Sequence, residues 1–189
     1  MSDIHDYAYR FRGVLMVPIY LMLVLLFVGE TERDGVVWPL GLALFATGVS
    51  IRVWAQMHLH YRLRVHKYLT LTGPYLYVRN PIYIGNTIML LGLTVVSELL
   101  WALPLMLAWC VFVYRNVVRR EERHLTEKYG EPYVHFLGSV PRWVPRVPAI
   151  KPIVGSMRSF LLPSLLAESH CLLFLIPLIA KEVLSGMFE

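Results

Sequence analysis

The chain has 189 residues, of which 57% are hydrophobic and only 16% charged, with a mean hydropathy of +0.54. That balance is membrane composition, and with Cys110 and Cys171 both inside apolar runs it excludes a disulfide framework or a cysteine metal site. A net charge of +5 and a pI near 9.3 invite a nucleic-acid reading, but Lys and Arg flank apolar segments, as in loops facing anionic lipid, so no nucleic-acid partner is expected.

In chain order, residues 1–11 are polar and aromatic and read as a short interfacial helix or arm. Acidic and aromatic residues precede the first apolar run and no small-residue cleavage site follows it, so Gly13–Gly29 reads as a first span and an uncleaved insertion signal. Val36–Met57 is the second span, and Arg52 near its far end is expected to snorkel to the interface. A basic loop, His58–Asn80, follows, carrying Arg62, Arg64, Lys67 and Arg79. Pro81–Val96 and Trp101–Tyr114 form a helical hairpin around Ser97-Glu98, each arm short against the roughly 20 residues of a full span. The second arm continues its helical pattern through Glu121, Glu122 and Leu125 to about Lys128, where Tyr129-Gly130 closes it with a glycine cap. Glu131–Lys151 is rich in proline and basic residues and reads as a surface loop. Ser159–Ala180 is a fifth span, or a broken or re-entrant helix, because Pro163, Pro177 and the polar centre Glu168-Ser169-His170 interrupt it; that centre is costly in lipid unless paired inside the bundle.

The expected architecture is an all-α integral membrane protein of about five transmembrane helices, with a helical hairpin and a cytoplasmic cofactor-binding region. Its parts are an N-terminal arm with two spans (1–68), a core (69–148) and a C-terminal apolar segment (149–189). Of the 18 lysines and arginines, only Arg33 and Lys181 fall beyond the far membrane face, and Arg52 falls inside it. The amino terminus and both large loops are therefore expected on the cytoplasmic side. The compact chain suits a prokaryotic inner membrane.

Chemistry concentrates in Thr72–Gly85, TGPYLYVRNPIYIG. Gly73-Pro74 and Asn80-Pro81 are two breaks, and Pro81 occupies the first turn of the helix that follows. The positive end of that helix points back at Tyr75, Tyr77, Arg79 and Asn80, an arrangement suited to an anionic or hydrogen-bonding ligand, or to a plain basic juxtamembrane loop. The hairpin returns the chain to the same face, where Arg115, Arg119 and Glu122 share one side of a helix and Glu121 lies about 100° away. Adjacent carboxylates near tyrosines can accept ribose hydroxyls and balance a cationic ligand. No GxGxxG or Walker loop occurs, His58 and His60 lack metal-ligand spacing, and Ser139 and Ser156 lack a nucleophile context, so no metal is expected.

GPYLYVRNPIYIG, followed after a hairpin by EERHLTEKYGEPYVHFLGSVPRWVP, resembles the isoprenylcysteine carboxyl methyltransferases and phospholipid methyltransferases of membranes. The resemblance covers about Leu69–Pro145 and implies S-adenosylmethionine bound at the cytoplasmic membrane face. By motif position, Gly73, Tyr75, Arg79, Asn80, Pro81, Tyr83 and Gly85 would line the cofactor pocket, and Glu121 and Glu122 would hold its polar groups. Arg79, Arg115 and Glu122 are the catalytic candidates, the arginines to orient an acceptor carboxylate. Asn80 departs from the histidine of well-known members; it keeps a donor and an acceptor but cannot titrate. HLHYRLRVH, upstream, lacks the pattern of the prenylcysteine enzymes, which puts that substrate in doubt more than methyl transfer. The implied function is methylation of a lipophilic or amphipathic acceptor that enters sideways from membrane lipid, with oligomeric state undetermined. Two other readings stand beside it: an NADPH-dependent sterol-type reductase, using Arg62, Arg64 and Arg79 for the 2′-phosphate, and a noncatalytic lipid-binding protein.

Overall fold

The computed structural model describes residues 4–31, 34–61, 69–147 and 160–185, and all regular structure among them is helical. In chain order these are α1 (Ile4–Arg10), a 3-10 turn (Val14–Met16) running into α2 (Val17–Leu25), α3 (Asp34–Tyr61) and a 3-10 turn (Gly73–Leu76). Next come α4 (Pro81–Val96), α5 (Leu103–Tyr129), α6 (Glu131–Ser139), α7 (Leu161–Glu168), a 3-10 stretch (Ser169–Phe174) and α8 (Leu175–Ser185). Three stretches are long and apolar enough to cross a membrane: Gly35–Leu59, Leu100–Tyr129 and Leu161–Ser185. Val14–Leu25 and Pro81–Val96 are shorter apolar helices. Large apolar side chains such as Leu40, Leu105, Phe112, Leu162 and Ile176 point outward, a surface suited to lipid rather than water.

Pairing of α3 with α4 is the centre of the bundle, and glycine makes it possible. Gly41 and Gly48 on α3 stand seven residues apart, as do Gly85 and Gly92 on α4. A Cβ on Gly48 would lie 2.6 Å from the Gly85 carbonyl oxygen, and one on Gly92 would lie 2.8 Å from that of Gly41. Backbones in lipid gain nothing from excluding apolar surface, so close packing of small residues is what holds such a pair. The contact fixes α4, and with it the loop that leads into Pro81.

Polar groups brace the far end of α4. Glu98 takes a positive φ of 65° in the turn before α5, and its carboxylate accepts a bond from Trp38 Nε1 at 3.1 Å. Lys181 of α8 is 5% exposed, donates to the Ser97 carbonyl at 3.0 Å and pairs with Glu30 at 2.5 Å.

Several expectations change. The first span is helical only over Val14–Leu25, about 18 Å of axis, because the backbone turns extended at Leu26 and Gly29 adopts φ 78°. Glu131–Lys151 is not all loop, since α6 occupies its first nine residues. Pro132 sits in the first turn where its missing N–H costs nothing, and Tyr133 and Phe136 bury one face. The last segment is a broken helix that runs on to Ser185. Its 3-10 stretch precedes Pro177, which cannot donate to the Leu173 carbonyl and crowds it. Arg52 does not snorkel: its Nε donates to Glu168 at 2.6 Å and its Nη1 to Asn86 Oδ1, so Glu168 of the polar centre is paired within the bundle, while Ser169 and His170 are exposed and bond carbonyls of their own segment. Arg62, Arg64, Lys67, His60 and Ser156 lie outside the described residues or side chains.

Candidate functional site

The loop before α4 is built around Gly73. Its φ of 60° suits glycine, and a Cβ there would overlap the imidazole of His58, whose Nδ1 hydrogen-bonds Thr72 Oγ1 at 3.0 Å. The 3-10 turn from Gly73 then carries the chain to Arg79 and Asn80. Asn80 does not cap α4; its Nδ2 donates to the Arg142 carbonyl at 3.4 Å. Two backbone bonds, Arg79 N to Pro141 O and Arg146 N to Tyr77 O, both 2.9 Å, strap the segment after α6 across this loop.

The adjacent carboxylates of α5 diverge by one helical step and serve different partners. Glu121 accepts a bond from Tyr83 Oη at 2.7 Å. Glu122, 8% exposed, pairs with Arg79 Nη1 at 3.1 Å and with both Nε and Nη2 of Arg142. One carboxylate thus neutralises two guanidiniums drawn from two loops, and Arg79 keeps a buried Nε with no hydrogen-bond partner among the described residues.

Three cavities surround this cluster. The first, about 310 Å³, is lined by Tyr75, Arg79, Asn80, Pro81, Tyr83 and Glu121, together with Tyr129, Tyr133 and Phe136 and the basic Arg120, His124 and Lys128. Burial pushes the phenols of Tyr75 and Tyr133 above the ordinary tyrosine range, with the charges of Glu121 and Glu122 adding to it respectively. The second, about 750 Å³, shares Tyr83 and Glu121 with the first and is otherwise lined by groups that include Arg12, Tyr20, Arg52, Asn86 and His170. The third, about 540 Å³, is a largely apolar groove lined by Ile84, Ile88 and Val111 and also by Arg115, Arg142 and Trp143. The rings of Tyr83 and Tyr114 meet tilted by 38° at 5.0 Å between centroids, and Tyr114 borders the second and third cavities.

Of the residues singled out from the sequence, Tyr75, Arg79, Asn80, Pro81, Tyr83 and Glu121 meet in one cavity, and Glu122 supports it through Arg79. Gly73 and Gly85 play other parts: Gly73 packs on His58 and Gly85 on Gly48 and Arg52. Arg115 lies apart, at the apolar groove. The sequence reading missed Arg142, which pairs with Glu122, and Tyr133 and Phe136 of α6. The VPR following the helix was the available signal for Arg142.

These residues suit the group that the sequence implies. A sulfonium-bearing amino acid needs an anion and aromatic faces for its cation and a guanidinium for its carboxylate. The cavity has Glu121, several tyrosines and an Arg79 with donor capacity to spare, in a volume at the low end of the roughly 300–1,000 Å³ of small-molecule sites. Among the described residues no group of three His, Cys, Asp or Glu is placed to hold a metal ion.

The family pattern of phospholipid methyltransferases matches residues 36–132, from α3 to the start of α6. The chain belongs to that family. It thereby falls in the isoprenylcysteine/phospholipid methyltransferase superfamily of the sequence resemblance. The chain is also similar to the cobalt-zinc-cadmium resistance protein CzcN of Cupriavidus metallidurans, 30% identical over 140 residues, covering 71% of this chain and 63% of that one. A second relative is the nickel-cobalt-cadmium resistance protein NccN of Alcaligenes xylosoxydans xylosoxydans, 24% identical over 155 residues, covering 77% and 70%. The chain therefore spans less than two thirds of the length of CzcN. No solved structure matches it.

Proposed function

We propose that this protein is an S-adenosylmethionine-dependent methyltransferase of the membrane, acting on a lipophilic or amphipathic acceptor. The observation that carries the reading is the shared wall: Glu121 and Tyr83 border both the 310 Å³ cavity and the 750 Å³ chamber. A cofactor in one and an acceptor in the other would meet across a single hydrogen-bonded pair. In this reading the site faces the cytoplasm, which the excess of Lys and Arg in the loops supports, and a prokaryotic inner membrane is the proposed location.

S-adenosylmethionine, when bound, supplies a methyl group on a cationic sulfur, which an acceptor lone pair displaces in line. The chain's own residues do the remaining work. Glu121 and the tyrosine walls hold positive charge, and Arg79, kept in place by Glu122, receives a carboxylate. A carboxylate acceptor needs no base; an amine or thiol acceptor needs one, and Glu121, bonded to Tyr83, is placed on the wall to take that proton. Tyr133 and Phe136 of α6 cover part of the cavity, and the 141–146 segment holds the loop that carries Arg79. Metal resistance, named for the relatives, is compatible with modification of a membrane component by such an enzyme.

Calorimetry of the detergent-purified full chain with S-adenosylmethionine, S-adenosylhomocysteine and NADPH tests the reading. Saturable binding of the first two, weakened by Glu121→Gln, is expected. Binding of NADPH alone would replace the proposal with the reductase, and binding of none to a folded sample would favour a noncatalytic lipid-binding protein.

A further inference from the structure

The C-terminal segment, residues 160–185, lies outside the family match at 36–132, yet it contributes Glu168, His170, Cys171 and Phe174 to the surroundings of the 750 Å³ chamber. Its one buried carboxylate, Glu168, has a side chain 2% exposed and meets Arg52 Nε at 2.6 Å. Asn86 of α4 accepts from Arg52 Nη1, and Cys171 Sγ lies 3.6 Å from the same Glu168 oxygen that Arg52 bonds. A buried ion pair is a poor source of net stability, because desolvation of both charges offsets their attraction. What this one achieves is orientation. A guanidinium has five N–H donors in a rigid fork; Glu168 and Asn86 engage two of them, and Arg52 is part of the chamber lining. Arg10 and Arg12 line the same space, Arg12 donating to the Tyr9 carbonyl at 2.8 Å and lying over the Tyr9 ring. Among the described residues the sole carboxylate in the lining is Glu121, at the wall with the smaller cavity. Val14, Val17, Met89, Leu90 and Phe174 make up an apolar flank.

We infer that the chamber is a site for an amphiphile carrying an oxyanion, that Arg52 anchors the oxyanion, and that Glu168 of the C-terminal segment is the positioning residue that aims Arg52. The identification of this ligand as the methyl acceptor rests on the methyltransferase reading; the oxyanion site does not.

The test uses the full chain in maltoside micelles, with native mass spectrometry of laurate, dodecyl phosphate and neutral dodecanol, and calorimetry of S-adenosylhomocysteine in parallel. The two anions distinguish a carboxylate from a phosphate preference. Wild type is expected to retain at least one anion in preference to dodecanol. The double variant Arg52→Gln/Glu168→Gln removes both charges at once, whereas a single change would leave an unpaired buried charge; a thermal melt checks that it folds. It is expected to lose roughly tenfold or more of the anion affinity while binding S-adenosylhomocysteine as before. Unchanged anion affinity in the double variant, or dodecanol bound as well as laurate and dodecyl phosphate, overturns the inference. Arg52-dependent anion binding without any S-adenosylhomocysteine binding in wild type sustains the site and sinks the methyltransferase reading.

Discussion

Glu122 is the position where stability and cofactor affinity should fail together. Glu122→Gln keeps the shape and one hydrogen-bond acceptor but removes the charge that neutralises Arg79 and Arg142 at once. Breaking a fully buried pair from one side costs about 3–5 kcal/mol. Here the side chains of Arg79 and Arg142 are 15% and 31% exposed, so water takes up part of the loss and about 2 kcal/mol is the expected cost. For a domain of this size that lowers the melting temperature by about 4–8 °C. Arg79, freed from Glu122, loses its fixed orientation, and S-adenosylhomocysteine should bind roughly tenfold more weakly. Arg142→Gln alone costs less, because Arg142 is the more exposed partner. Thermal melts of wild type, both single variants and the double variant form a cycle in which the coupling should be about 1–2 kcal/mol. Melting losses that add within about 0.5 kcal/mol would refute the shared-charge argument, because they would mean that the two side chains do not act on one another.

Gly48→Ala places a Cβ 2.6 Å from the Gly85 carbonyl and should lower the melting temperature sharply, by an amount corresponding to about 1–3 kcal/mol or more, whereas Gly138→Ala in α6 meets no atom within 4 Å and should raise it slightly. Parallel melts decide this, and equal effects would show that α3 and α4 do not approach as closely as described. Gly73→Ala should abolish S-adenosylhomocysteine binding in a protein that still purifies intact, since the strain and the overlap with His58 fall on the loop that carries Arg79; undiminished affinity would remove the loop from the site. Tyr75 and Tyr133 hold their protons in the folded state at pH values where the unfolded chain, with tyrosines near 10.0, releases them. The folded state then binds more protons, so stability is unaffected below about pH 10 and falls as pH rises above it. Tyr75→Phe/Tyr133→Phe should flatten part of that alkaline decline in a melting series, and an identical decline would show that neither phenol is withdrawn from water.

Local pattern and motif made much of this protein legible. Apolar runs of the right length fix α3 and the long α5, because a chain in lipid must satisfy its backbone internally and a helix is the local way to do so. The Gly73-Pro74 break fixes a turn within the polar loop, Asn80-Pro81 fixes where that loop gives way to α4, and Gly130 fixes the end of α5, since proline and glycine act on the backbone of their own residue. The short α6 escaped notice because its nine residues, Glu131–Ser139, carry only two buried anchors, Tyr133 and Phe136, too few for a periodic signal.

Pairing across the sequence was decided by the tertiary structure. Nothing local distinguishes an arginine that snorkels from Arg52, whose partner Glu168 is 116 positions away, nor a solvated EE pair from one that divides between Tyr83 and two arginines. The heptad spacing of Gly41 with Gly48 and of Gly85 with Gly92 was visible in the chain, but only the packed α3 and α4 give it meaning. Helices in a membrane are specified one at a time by hydropathy and are placed against each other by close contact and buried charge. The position of each apolar segment was therefore in the sequence, while the identity of every charge partner came from the fold.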